Sequence, residues 1–193
     1  VTVYMTRNDN TSPNTDREQR AKFAAEKGAN VLVSIHINSY GKGYTSAHGA
    51  EVYYPNSNYN STVSGQGQNL SAVILKQLTA LGLADRGIKI INSKDGETYP
   101  DGSLADYLGI NKYAKLYGYP GILIEHAYAN NVSDAANYLT TDAQLQRLGV
   151  ADATGIAQYF GLQKKKNVSL YGICKQETVE GISAALSYSS DDS

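Results

Sequence analysis

Val31-Leu32-Val33-Ser34-Ile35-His36-Ile37 is an apolar run interrupted only by Ser34 and His36. A strand with one wet face alternates polar and apolar residues. A run this apolar is covered on both sides, as in a parallel sheet packed between helices. Gly121-Ile122-Leu123-Ile124-Glu125 has the same character and ends on a carboxylate. Working outward, residues 1–7 and 49–55 alternate as strands, and residues 85–94 offer a further short one. Helices fall between them. Thr15 and Glu18 make a T-x-x-E capping box ahead of an apolar stripe of Ala21, Phe23, Ala24 and Ala25, and Gly28 closes that helix. Leu70, Val73, Ile74, Leu78 and Leu81 space out a long amphipathic helix ended by Gly82. Residues 56–67, rich in Gly, Asn and Ser, read as a surface loop. Residues 107–117, 135–139 and 143–160 read as helical. The succession is an α/β alternation, which predicts a mostly parallel sheet flanked by helices.

The 193 residues suffice for one ordinary domain with its own core. Hydrophobic residues make up 41% and charged residues 18%, a globular composition. Seventeen Lys and Arg against 18 Asp and Glu leave a net charge of −1, so no basic field points to nucleic acid. The longest basic run is only Lys164-Lys165-Lys166. No stretch approaches the roughly 18 apolar residues of a membrane span. Cys174 is the only cysteine, which excludes an intrachain disulfide and a thiolate metal cluster. Sixteen Tyr stand against two Phe and no Trp. Phenols bury area while keeping a polar tip, so they suit either the rim of a groove that stacks on sugar or peptide, or half-exposed sheet positions. After residue 162 the texture turns Ser- and Tyr-rich with strand-like alternation. The expected division is a domain over 1–162, then a linker and the opening of a second, β-rich module over 163–193. A C-terminal extension packed on the main domain is the alternative. Both ends abut strand-like runs, so the chain reads as an internal slice of a longer protein.

In sheets of this class chemistry gathers beyond the carboxyl ends of the strands. His36 and Asn38 lie at one such end, Glu125 and His126 at another. Neighbours on a strand point to opposite faces, so only one of Glu125 and His126 can share a pocket with His36. A carboxylate ending a buried strand has a tuned pKa or a cation beside it, which favours Glu125. His48 falls in a loop, where surface and site are both open.

An ordered set of short motifs then becomes specific. Val3-Tyr4-Met5-Thr6-Arg7, Arg17-Glu18-Gln19-Arg20-Ala21, Ser34-Ile35-His36-Ile37-Asn38-Ser39, Gly49-Ala50-Glu51-Val52-Tyr53-Tyr54, Arg86-Gly87-Ile88-Lys89 and Pro120 through Asn131 succeed one another at plausible spacings. Together, over about residues 1–161, they resemble the zinc-dependent N-acetylmuramoyl-L-alanine amidases of the Amidase_3 type. The resemblance implies a peptidoglycan hydrolase that cuts the amide between N-acetylmuramic acid and L-alanine. It also implies a secreted or wall-associated location, with peptidoglycan as partner; the oligomeric state stays open, with a monomer favoured. Host and role (autolysin, phage endolysin or sporulation enzyme) stay open.

Residue by residue, the resemblance makes His36 one of three expected protein ligands of a zinc ion and Glu125 the catalytic glutamate. Asn38 and Arg86 are candidates to position substrate, and Tyr128 is expected to pack below the site. The other two zinc ligands, with the family's first strand and helix, are expected upstream of Val1. Two expectations follow: an incomplete zinc site that leaves this chain inactive alone, and an open place in the sheet. A non-catalytic module that binds the cell wall is the alternative function.

Overall fold

The computed structural model describes residues 1–7, 9, 11, 13, 15–162 and the strand at 183–188. Its sheet contains β1 (Thr2–Met5), β2 (Val31–Asn38), β3 (Ala50–Tyr53), β4 (Asp85–Lys89), β5 (Gly121–Tyr128) and β6 (Ser183–Tyr188), in the order β1-β6-β2-β5-β3-β4. All pairings are parallel except that of β3 with β5. The sheet is thus mostly parallel, as the apolar runs implied. The antiparallel step was not expected.

Helices cover both faces. On one, Val31, Val33, Val52, Ile122 and Ile124 meet Leu70, Ile74 and Leu78 of α2 (Ser61–Ala80) and Leu148 of α5 (Asp142–Tyr159). On the other, Leu32 meets Ala21 and Ala24 of α1 (Arg17–Glu26) and Ile110 and Ala114 of α3 (Gly109–Leu116). This second cluster is the smaller. Beyond Leu32 the same face of β2 turns polar, with Ser34 and then His36. Between β5 and α5, α4 (Val132–Asp134) runs into a π-helical turn, Ala135–Leu139.

Close approach between layers depends on missing side chains. A Cβ on Gly121 would lie 2.3 Å from the Ile110 carbonyl oxygen of α3, and one on Gly155 would lie 2.7 Å from the Ile74 Cα of α2. Gly49, at φ 99°, turns the chain into β3 against the Ala84 carbonyl. Asp134 holds that turn to the end of β5: its Oδ2 accepts from the amides of Gly49 (2.8 Å) and Tyr128 (2.9 Å). The connection between β4 and α3 is fastened by Lys115. That side chain is fully buried, pairs with Asp106 at 2.8 Å and donates to both oxygens of Asn56.

Several boundaries differ from expectation. The first helix is capped one residue later, by Asp16 with Gln19 rather than Thr15 with Glu18. The loop expected over 56–67 is helical from Ser61, because the Asn60 side chain accepts from the Val63 amide and Val63, Gly67 and Leu70 are buried. The open place expected inside the sheet is filled: β6 lies parallel between β1 and β2 and pairs with both. Apart from β6, residues 163–193, where a linker and second module are expected, lie outside the described residues.

Candidate active site

His36 on β2 and Glu125 on β5 are register partners on adjacent parallel strands, so their side chains share one face. Across the next pairing, Glu51 of β3 stands directly opposite Glu125. His36, Glu125 and Glu51 therefore form a row across three neighbouring strands. It lies on the α1/α3 face, past the end of the smaller apolar cluster. Ser34, two residues before His36 and buried, places its Oγ 2.9 Å from His36 Nε2. Glu125 is half-buried.

His126 points the other way. Its ring is 2% exposed, with Nδ1 3.0 Å from the His36 carbonyl oxygen and Nε2 2.7 Å from Asp152 of α5. A carbonyl and an ionised carboxylate both only accept, so both ring nitrogens must donate. Burial alone lowers the histidine pKa, but the Asp152 charge and the two hydrogen bonds reverse this and hold it above 6.5. The imidazolium is a fastener between β5, β2 and α5. Glu125, not His126, shares the face of His36. His48 is exposed in the loop after β2, with Nδ1 3.0 Å from the Ser46 carbonyl.

Glu51 is the residue that sequence reasoning passed over. Its carboxylate is buried and takes four donors. Asn38 Nδ2 (3.0 Å) and the Tyr53 hydroxyl (2.7 Å) bond Oε1, while Arg86 Nε (2.9 Å) and Lys89 Nζ (2.5 Å) bond Oε2. Burial raises the Glu51 pKa, and hydrogen bonds from Lys89, Tyr53 and Arg86 more than offset that, leaving it below 4.5. Burial, joined by the hydrogen bond to and the charge of the same carboxylate, raises the Tyr53 phenol above its ordinary range, so it stays a donor. Two cations on Glu51 also relieve the repulsion that two facing carboxylates would otherwise suffer. Asn38 and Arg86, both expected at the site, meet here through Glu51. Arg86 also lies over the ring of Tyr128, 5.0 Å from its centroid, and that ring is 3% exposed.

The rim beyond β2 is stapled. The Asn130 side chain accepts from the Tyr40 amide and donates to the carbonyls of Tyr40 and Gly43, and Asn131 donates to that of Thr45. Tyr40 and Tyr44 stand exposed on the loop so held.

A catalytic zinc takes three protein ligands and a water. Among the described residues no group of three His, Cys, Asp or Glu is placed to hold a metal ion. His126 is turned away and engaged with Asp152, and His48 is bonded within its loop. The described donors therefore do not compose a three-ligand zinc site.

A polar row beyond the strand ends of a helix-covered, mostly parallel sheet is where such α/β domains place their sites. Residues 1–158 match the family described as N-acetylmuramoyl-L-alanine amidase, Amidase_3, and the chain belongs to that family. Among solved structures it is similar to the catalytic domain of CwlV, an N-acetylmuramoyl-L-alanine amidase from Bacillus (Paenibacillus) polymyxa var. colistinus. There the identity is 28% and the TM-score 0.58, over 82% of this chain and 72% of that one. It is also similar to Cwp6 from Clostridium difficile, with 26% identity and a TM-score of 0.61 over 78% of this chain. That match spans only 21% of Cwp6. The N-acetylmuramyl-L-alanine amidase Ami1 from Mycobacterium smegmatis shares the fold, with a TM-score of 0.63 at 23% identity over 81% of this chain and 66% of that one. No curated protein matches.

Proposed function

We propose that this chain carries the amide-cleaving face of a peptidoglycan hydrolase, acting between N-acetylmuramic acid and L-alanine. The observation that carries the reading is the registered pair of His36 and Glu125 on one face of two adjacent central strands. Family membership supplies the substrate class. Hydrolysis of an amide needs a base to take a proton from water and return it to the departing amine. Glu125, half-buried beside His36, would serve that shuttle. His36, with one nitrogen at Ser34 Oγ, is the residue that the family resemblance would give to a zinc ion, which would there polarise the carbonyl and acidify a water. Its partner ligands belong to no described residue here. Asn38 and Arg86 hold substrate from the Glu51 side. The protein acts at the cell wall, outside the cytoplasm, and no described helix is long and apolar enough to cross a membrane.

The test is release of free alanine amino groups from purified sacculi, with and without zinc. Residues 1–193 alone are expected to release none above background. The same chain extended upstream is expected to release them, in a chelator-sensitive way abolished by Glu125→Ala. Chelator-sensitive activity from residues 1–193 alone would mean that the metal is held differently.

The incomplete donor set favours a second reading, a module that binds the wall without cutting it. Sedimentation with sacculi, no amine release, and no gain on upstream extension would establish that reading instead.

A further inference from the structure

The three most exposed large hydrophobic side chains among the described residues are Tyr44 (89%), Tyr40 (71%) and Val132 (67%). All three lie on the two segments that continue β2 and β5 past His36 and Glu125. Apolar residues scattered over a surface are ordinary, but their concentration at one rim marks a contact site. The two segments are also fastened to each other. The Asn130 side chain bonds the Tyr40 amide and the Tyr40 and Gly43 carbonyls, and the Thr45 amide donates to the Asn130 carbonyl. Asn131 donates to the Thr45 carbonyl. Between the two tyrosines, Gly41 and Gly43 take φ values of 68° and 100°, which turn the chain at each. The backbone is therefore set while the phenols stand in water. Side chains this exposed bury little area in the fold, and a tyrosine has only two torsions to fix when something settles on it.

We propose that Tyr40 and Tyr44 form a stacking site for pyranose rings of the glycan strand. The assignment rests on the functional reading above and names the half of the substrate this rim holds, the N-acetylmuramic acid side of the cut amide. One face of a pyranose is a patch of C–H bonds edged by hydroxyls. A phenol matches it, with an apolar ring face and a polar tip. The glycan is polymeric, so it runs on past the residues that meet the cut amide. A rim just beyond those residues is where its next rings rest, with Val132 adding apolar contact.

The experiment is calorimetric titration of the chain with soluble peptide-free glycan fragments and, separately, with free stem peptide, both prepared from sacculi. Tyr40→Ala/Tyr44→Ala is expected to weaken glycan binding about tenfold. Tyr40→Phe/Tyr44→Phe keeps both ring faces and should stay within about twofold of the parent. Tyr107→Ala/Tyr117→Ala removes two half-exposed phenols elsewhere and should leave binding unchanged. Thermal melting checks that each variant keeps the fold. No glycan binding by the parent chain, or unchanged binding in the double alanine variant, overturns the site. A loss as large in the phenylalanine pair or in the control pair overturns it too. Stem-peptide binding that the double alanine variant loses, while its glycan binding holds, overturns the glycan assignment in favour of a peptide ligand. Failure of the functional reading looks different: glycan still binds through the two tyrosines, but the chain extended upstream releases no alanine amino groups from sacculi.

Discussion

Glu51 shows how a single carboxylate organises this rim. Its pKa lies below the ordinary 4.5 in the folded chain, so the unfolded state binds the proton more readily. The stability it contributes is therefore present above about pH 4.5 and is lost as pH falls through the lower, folded value. Arg86 and Lys89 are each about a third exposed and can turn to water, so the contribution is well short of a fully buried pair. Glu51→Gln should cost about 1–2 kcal/mol at pH 7. Urea unfolding across a series of pH values from 7 downward checks this, and the gap between the variant and the parent should narrow below about pH 4.5 as pH falls. Strand alternation already put Glu51 and Tyr53 on one face of their strand. Which neighbours that face would meet depends on the antiparallel register of β3 against β5, and no local pattern encodes it. His36 and Glu125 were legible because each interrupts an otherwise apolar strand. His126 was legible only as the residue on the other face; its partner Asp152 comes from a distant helix.

At the scale of elements, contact between α2 and α5 turns on Gly155. The nearest atoms to a Cβ there are the Ile74 Cα, Cγ1 and backbone nitrogen, at 2.7, 2.9 and 3.1 Å, and a helix backbone does not yield. Gly155→Ala should destabilise by about 1–3 kcal/mol through overpacking. Gly149 sits in the same helix with nothing within 4 Å of its Cβ position. There the same substitution should stabilise by about 0.5–1 kcal/mol, since alanine loses less freedom in a helix. Thermal or urea melts of the two variants should shift in opposite directions. Helix and strand identities followed well from periodicity, while ends followed poorly. Thr15-x-x-Glu18 and Asp16-x-x-Gln19 are equally good capping patterns one residue apart, and the structure uses the second. The start of α2 was hidden by composition: Ser61, Ser64, Gly65 and Gly67 are weak helix formers, overridden by the Asn60 cap and by burial of Val63 and Leu70.

At the scale of the molecule, the sheet is joined through its last strand. Among the described residues, β1 has no sheet neighbour other than β6, and β6 also flanks the strand that carries His36. Removing residues 183–193 should strip hydrogen-exchange protection from the amides of Thr2–Met5 and weaken it along β2. The pairing of β3 with β5 should keep its protection. Retained protection at Thr2–Met5 would show that β1 is held by other means. Alternation of strands and helices made the layered plan legible. The strand order was not, because it depends on pairing segments from opposite ends of the chain. That arrangement bears on how the protein forms. Contacts between such distant segments carry a large loop-closure cost and slow the search for the native state. During synthesis β1 emerges well before its partner β6, whereas β2, β3 and β5 lie closer together in the chain, so those three can pair before β1 docks.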